Sequence, residues 1–436
     1  MTKSSLQLEV EWKVPITLSA LAQRFFEEGF GKKALEGILL QRSDELVTAL
    51  CGPRYFPYKD GRYRRAGTKK RKLVTRLGKI TIKVHRVRDI HTGDIFFPLW
   101  NEVLIEPYKV YQPDVIALAE KGVIKMTYRD TREIMNEVVD SFPSPQTINR
   151  YIRTDGMALS NEYEGREIVA EVHQPDSTKL HAQCGGKHDL KIVLGTSGDK
   201  PPLIRCISAG KSWHDHIPAF NKTTFQKHNG NKTPPVVVSD METGLGEVIT
   251  PDGGYWQPCI LHVIRQVSYS LWKDDMAMGK EKKRIIRTAK KILFHLINSV
   301  DHYLPRGQIE PIEHRIKQTE KELRRLSSQL VKEGYYKTAS FLRKISNYVT
   351  AFATLSLKGI NVPWHNNLVE RLMGEISKRC KHKWMSWTEQ GAQGLITLLV
   401  TKIIEPEQYE KFYNRKVYHQ EERLPDLGVK ITQIGG

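Results

Sequence analysis

The stretch from Arg166 to Asp240 contains four short runs, REIVAEVHQPD, HDLKIVLGTSG, PPLIRCISAG and PPVVVSD, each apolar or alternating and each closed by Gly or Asp. Runs of this kind make strands, and Gly, Pro and Asp at their borders supply the turns. After His262 the pattern changes to long, charged, amphipathic helix as far as about residue 355, in segments such as KEKKRIIRTAKKILFHLI and IEHRIKQTEKELRRLSSQLVKEG, with TAFATLSLKG closing the region. A chain in this order has to lay helices on a small mixed sheet, so the expected fold class is α/β.

Ahead of the strands, residues 17–50 carry apolar side chains at helical spacing, among them Leu18, Leu21, Phe25, Leu35, Ile38, Leu39 and Leu46. Gly29 and Gly31 interrupt the pattern, which predicts two short helices. Next come Arg62, Arg64, Arg65, Lys69, Lys70, Arg71, Lys72 and Arg76, eight cations with no acid between them. They run into alternating Ile80, Ile82 and Val84, with Leu77, Gly78 and Lys79 at the expected turn, so this region is expected to be a basic β-hairpin. Lysines also keep an ordinary edge hairpin from aggregating, but so dense a cationic run favours phosphate contact.

Helical patterns return in PDVIALAEKGV, TYRDTREIMNEVV and SPQTINRYI, the last with Ser144 as N-cap and Pro145 in its first turn. Ile148, Tyr151 and Ile152 give that helix a buried side and leave Gln146, Asn149 and Arg150 outward. A helix-turn-helix presents base-reading side chains this way, and a plain helical hairpin has the same pattern.

Lys and Arg number 68 against 49 Asp and Glu, a formal charge of +19, which points to a polyanionic partner and to nucleic acid first. Five scattered cysteines, without CxxC spacing, argue against a disulfide framework and for a reducing cytosol. The N-terminus has no apolar leader, and the roughly 18 consecutive apolar residues of a membrane span occur nowhere. The expected location is therefore the cytoplasm, on the nucleoid where DNA is the partner, with no membrane association.

Asp176 closes the first strand run and Asp240 the fourth, so neighbouring strands would project both from one sheet edge. Either alone is an ordinary turn former. Glu370 sits in a segment whose faces divide cleanly at about 100° per residue. Asn366, Asn367, Glu370, Gly374, Ser377, Lys378 and Lys381 fall on one side, and Leu368, Val369, Leu372 and Ile376 on the other. Amides and cations there, with Asn367, Arg371 and Lys378 closest to hand, suit a phosphate backbone. Phosphoryl transfer between DNA strands needs no protein nucleophile; it needs two divalent ions roughly 3.5 to 4 Å apart. Mg²⁺, or Mn²⁺ in its place, takes carboxylate oxygens and leaves positions for phosphate and water.

VHQPDSTKLH, VVVSDMETGL, CILH and NNLVERLMGEISKRCK follow one another in the chain. This order resembles the Mutator-like insertion-sequence transposases, over roughly residues 60–400. The resemblance implies an RNase H-like core whose catalytic and metal-binding acids match Asp176, Asp240 and Glu370, with Cys259 and His262 as an accessory Cys-x-x-His pair. Gln174 and Pro175 depart from a purely apolar first strand, which keeps Asp189 and Glu171 as alternatives to Asp176. Cys259 and His262 look like half a zinc site, but no second cysteine pair lies at suitable spacing. A role in shaping the strand-to-helix junction or touching DNA is preferred. Trp364 is expected either to stack on a base or to fill the core.

The expected organisation is residues 1–110 as N-terminal helices plus basic hairpin, 111–160 as helix-turn-helix, 165–262 with 356–405 as the catalytic core, 263–355 as a helical insertion and 406–436 as a tail. The implied activity is metal-dependent cleavage and joining of double-stranded DNA at the element's terminal inverted repeats, by a homo-oligomer assembled on transposon ends and target. The alternative is a transposase-derived regulator that binds specific DNA without cutting it.

Overall fold

The computed structural model describes residues 29–53, 61–103, 105, 108–164, 166, 170–198, 200–210, 212–213, 236–242, 245, 254–275, 279–382 and 385–418. They fall into two compact units, one made of the described residues up to Tyr151 together with those from Lys411 on, the other of Ile152–Glu410. The architecture is mixed α/β, with a three-stranded antiparallel sheet in the first unit and a five-stranded mixed sheet flanked by helices in the second.

In the first unit, helix α1 (Phe30–Cys51) packs on the hairpin of β1 (Tyr63–Thr75) and β2 (Gly78–Asp89). The segment after Gly29 is thus one helix of 22 residues, not a short one. Gly29, at φ 61°, caps its N-terminus, and Gly31 lies in its first turn without breaking it; the apolar positions before Gly29 lie outside the described residues. Alternation drives the packing: Ile80, Ile82 and Val84 are buried on one side of β2 while Lys79, Thr81 and Lys83 are exposed on the other. Leu35, Leu39 and Leu46 of α1 cover the apolar side, joined by Leu99 of α2 (Pro98–Glu102), while β3 (Ile95–Phe96) pairs with the far end of β2. The hairpin turns on Arg76 and Leu77, with Thr75 directly opposite Gly78. A side chain at Gly78 (φ 104°) would strike Asp140, which accepts hydrogen bonds from Lys79 N (2.7 Å) and pairs with Lys32 (3.0 Å).

Three helices follow, α3 (Pro113–Val123), α4 (Tyr128–Asn136) and α5 (Pro145–Glu164). Thr127 caps α4 by accepting from Asp130 N at 3.1 Å, and Ser144 Oγ accepts from Thr147 N at 3.2 Å. Ile148 and Ile152 are buried and Gln146 and Arg150 exposed, as the spacing predicts, whereas Asn149, expected outward, and Tyr151, expected inward, are both half-buried. The helix runs well past the expected residue 152 and continues into the second unit.

The second unit is built on β4 (Val172–His181), β5 (Lys187–Thr196), β6 (Leu203–Ala209), β7 (Val236–Ser239) and β8 (Tyr255–Pro258). Their spatial order is β6-β5-β4-β7-β8, antiparallel among the first three and parallel from β4 through β7 to β8. Central placement explains why β7 is a continuous apolar run, Val236, Val237 and Val238, each fully buried. Between β8 and the helix bearing Glu370 the chain is helical: α6 (Ile260–Lys273), α7 (Lys280–Tyr303), α8 (Ile309–Lys332), α9 (Tyr336–Ile345) and α10 (Ala351–Ser356). Their apolar faces share one core with Val172, Val236 and Val238 of the sheet. Gln257, fully buried in β8, fastens the two: its Oε1 accepts from Phe352 N at 2.8 Å and its Nε2 donates to Pro258 O at 2.7 Å.

Two more helices close the unit, α11 (Asn367–Cys380) on β4 and β5, and α12 (Glu389–Ile404) on β6. Val369, Leu372 and Ile376 bury the inner side of α11, each worth about 1.5–3 kcal/mol. The second-unit part of α5 crosses α12 backbone to backbone, since a side chain at Gly156 would strike the carbonyl oxygen of Gly394. The last helix, α13 (Pro406–Tyr418), begins in this unit. No described helix is long and apolar enough to cross a membrane.

Candidate active site

The parallel register sets the two aspartates side by side. The last β4–β7 pair is His173 with Val237, and Asp176 and Asp240 each lie three residues beyond it. Asp176 is still on β4, opposite Ile192 of β5, whereas Asp240 follows immediately after β7. The strands part at this point, where a central strand tolerates the missing N–H of Pro175. The neighbouring β8 ends one step further round: Ser239 pairs with Pro258, and Cys259 N donates to Ser239 O at 2.8 Å. Asp240 and Cys259 therefore follow the C-terminal ends of β7 and β8, and Asp176 lies beside them, on β4 just past the end of its pairing with β7.

Glu370 reaches this edge from the first turn of α11. The loop ahead of α11 is tied down where α6 begins, because Ile260 N donates to Trp364 O at 3.0 Å. Trp364 is half-buried and packs against the helical core with its ring near Phe294. Asn366, placed by helical periodicity on the polar face, is instead fully buried, and both its side-chain polar atoms lack a hydrogen-bond partner among the described residues. Its backbone N–H points at the Cys259 sulfur. Periodicity misplaces Asn366 because it precedes the helix, where the 100° rotation no longer applies.

The carboxylates act on one another. Burial pushes the Asp176 carboxyl up to about 7, with the negative charges of Asp240, Glu370 and Glu242 adding to it and the Ser177 N–H, 2.7 Å from Oδ1, opposing. Asp240 is raised by burial and by Glu242 and Glu370, while the Glu242 N–H at 3.1 Å and His262 favour its charged form. Asp176, Asp240 and Glu370 thus lie near enough to act on one another electrostatically, although among the described residues the acid whose ligand atoms fall within 4.8 Å of two other donors is Glu370, with Cys259 and His262. Asp189 is not among the groups acting on them; it sits opposite Lys179 on β5 and pairs with Lys191 at 3.8 Å. Glu171 is exposed, just before β4 begins.

Glu242 is a fourth acid that sequence reasoning passed over. Ser177 Oγ donates to its Oε2 at 2.8 Å, and Trp213 Nε1 lies 3.4 Å from the same oxygen. Two residues after Asp240 in SDMETG, it carries no pattern distinguishing it from a turn glutamate. His262 and Cys259 also belong to the site: His262 Nδ1 lies 3.3 Å from Glu370 Oε1, and ligand atoms of Cys259, His262 and Glu370 all lie within 4.8 Å of one another.

Of the residues expected to touch DNA, Asn367, Arg371 and Lys378 share α11 with Glu370. Arg371 is exposed, Asn367 half-buried, and Lys378 is paired with Glu375 at 2.6 Å. The other candidates belong to the first unit, and the hairpin divides them. Lys69 and Arg71 face the same side as Val84 and Ile82, their partners across the hairpin. Arg71 lies over the Trp100 ring at 4.7 Å and donates to Lys109 O at 3.0 Å, and Lys69 lies 6.0 Å from the centre of the Phe97 ring. Arg65 donates to Thr48 Oγ1 (3.1 Å) and Gly52 O (2.9 Å), and Arg62 pairs with Asp89 (2.7 Å). Lys70 and Lys72 lie on the opposite side with Lys83, and the directly opposed Arg64 and Arg88 are exposed as well. Gln146 and Arg150 are exposed at the start of α5, Arg150 5.4 Å from the Tyr151 ring centre.

The donor set suits hard divalent cations. Two partly buried aspartates and a glutamate at one edge repel one another, and a cation among them would relieve that repulsion while taking oxygen ligands. No protein-family model and no curated protein matches this chain.

Proposed function

We propose that this chain is a DNA transposase of RNase H-like architecture, cutting and joining double-stranded DNA at the terminal inverted repeats of its element. The observation that carries the reading is that Asp176, Asp240 and Glu370, far apart in sequence, lie near enough that the other acids add to burial in raising each aspartate's affinity for a proton. Support also comes from the position of the acids, one on the first strand of the mixed sheet and one after the fourth, and from the net charge of +19.

Asp176, Asp240 and Glu370 would hold two Mg²⁺ or Mn²⁺ ions, which when bound supply activation of the attacking hydroxyl or water and stabilisation of the leaving oxygen. Asp176 and Asp240, fixed by the sheet register, provide a rigid pair of ligands; Glu370 approaches from a separate helix. Partial burial of this edge strengthens the charge interactions along it. Ser177, by donating to Glu242, keeps that fourth carboxylate turned to the rim. Lys70, Lys72 and Lys83 on the hairpin, with Gln146, Asn149 and Arg150 on α5, would bind phosphates and base edges of the transposon ends and target, on a homo-oligomer assembled on DNA at the nucleoid.

The test is incubation of the purified protein with DNA ending in the repeats that flank its gene, with Mg²⁺ or Mn²⁺. Metal-dependent nicking at the repeat ends is expected, absent with Asp240→Ala. Unchanged nicking by that variant refutes the site, and site-specific binding without any strand cleavage identifies a DNA-binding regulator instead.

A further inference from the structure

We infer that Cys259, His262 and Glu370 form a second, softer cation site, suited to Zn²⁺ and sharing Glu370 with the carboxylate cluster. The sequence offers Cys259 and His262 as half a zinc site without a second half; the missing donor comes from α11, 111 positions after Cys259 (370 − 259). One thiol, one imidazole and one carboxylate, with ligand atoms within 4.8 Å of one another, meet the needs of a tetrahedral zinc ion with its fourth position open to water.

Two features distinguish this cluster from chance proximity. His262 Nδ1 and Glu370 Oε1 are 3.3 Å apart, yet they are not aligned as a hydrogen bond and neither has a hydrogen-bond partner among the described residues. That spacing is about the edge of a zinc tetrahedron with bonds near 2 Å. The Cys259 sulfur is fully buried just ahead of the fourteen-residue α6, where burial disfavours its thiolate and the backbone N–H groups of Asn366, His262 and Leu261 oppose that effect in part. A bound cation, by holding the sulfur deprotonated, would offset that cost. His262 and Glu370 keep about a quarter of their side-chain surface exposed, 24% and 28%, so an ion can enter.

Ligation releases the thiol proton to solvent. It also places the imidazole proton on Nε2, so the exposed Arg265, whose guanidinium donates to Nε2 at 3.2 Å, swings away. With Glu370 engaged by zinc, the carboxylate is withdrawn from Asp176 and Asp240. The binding itself does not depend on the proposed cleavage activity; only its inhibitory consequence does.

The experiment uses the full-length protein titrated with Co²⁺ as the spectroscopic substitute for Zn²⁺. A thiolate-to-cobalt charge-transfer band is expected at one ion per chain, abolished by Cys259→Ser and retained in Asp176→Asn. His262→Asn, a change at a half-buried position, guards against misfolding of the cysteine variant and should weaken Zn²⁺ more than about 100-fold, beyond what loss of an outer-shell partner costs. In metal-dependent nicking, Zn²⁺ should inhibit the wild type at a concentration at least about tenfold lower than it inhibits His262→Asn. Absence of the band, or its persistence in Cys259→Ser, overturns the site. A band without any nicking leaves the zinc site standing and sinks the proposed function.

Discussion

The metal-free protein should lose stability as pH rises through neutrality, and Asp176 should be the main cause. In the folded chain burial and the neighbouring acids raise its carboxyl from 3.8 to about 7. A folded-state value above the unfolded one means that the folded protein binds the extra proton between about pH 4 and pH 7. The contribution is complete below about pH 4 and disappears as pH passes about 7, and at about 1.36 kcal/mol per unit it amounts to about 4 kcal/mol. Between about pH 5 and pH 7.5 roughly 2–3 kcal/mol of it should be lost. Asp240, also raised, acts in the same direction. The assay is urea unfolding of wild type and Asp176→Asn across this range, with chelator and then with Mg²⁺. The asparagine variant lacks the titrating group, so its stability should fall by about 2 kcal/mol less than that of wild type. Mg²⁺ favours the charged form and should flatten the wild-type curve. Parallel wild-type and variant curves, with or without Mg²⁺, would refute the reasoning.

The hairpin cations should separate by face. Replacing Lys70, Lys72 and Lys83 together by Glu should reduce the slope of log affinity for duplex DNA against log salt by about 2.7, at about 0.9 for each phosphate no longer neutralised by a lysine. Arg71→Ala, which removes a guanidinium lying on Trp100, should lower the thermal midpoint and change that slope by less than about 0.3; a slope lower by about 0.9 with an unchanged midpoint would mean that Arg71 reads phosphate. Gly156→Ala forces a methyl group against the backbone of Gly394 and should destabilise the second unit by about 3 kcal/mol, as read by thermal unfolding, since backbone cannot yield as a side chain end can.

The parts of the fold visible in advance were those where a local period meets a buried surface. β7 was recognisable because both its faces are covered, and α11 because Val369, Leu372 and Ile376 repeat on one side. The inward turn of Arg71 was also written in the chain, since it shares the parity of Leu73 in β1, but the density of charge obscured the alternation. Other features had no local signal. Glu242 enters the site because Ser177 and Trp213, on other segments, hold its carboxylate. Asn366 is buried because the loop before α11 is pinned to the start of α6. The meeting of Cys259 with Glu370 depends on the order in which β4, β7 and β8 stand in the sheet, which no spacing along the chain encodes.

The most direct measurement is cleavage of repeat-ended DNA with Mg²⁺ by Asp176→Asn, Asp240→Asn, Glu370→Gln and the three pairwise double variants, with DNA binding measured in parallel. If the three acids serve one pair of ions, each single change should cut the rate by about a thousandfold or more, and the doubles should be little worse than the singles, as for groups that act as a unit. DNA affinity should stay within about threefold of wild type, or rise, because each change removes negative charge. Losses that multiply from single to double variants, or full cleavage by any one of the three single variants, would contradict the account.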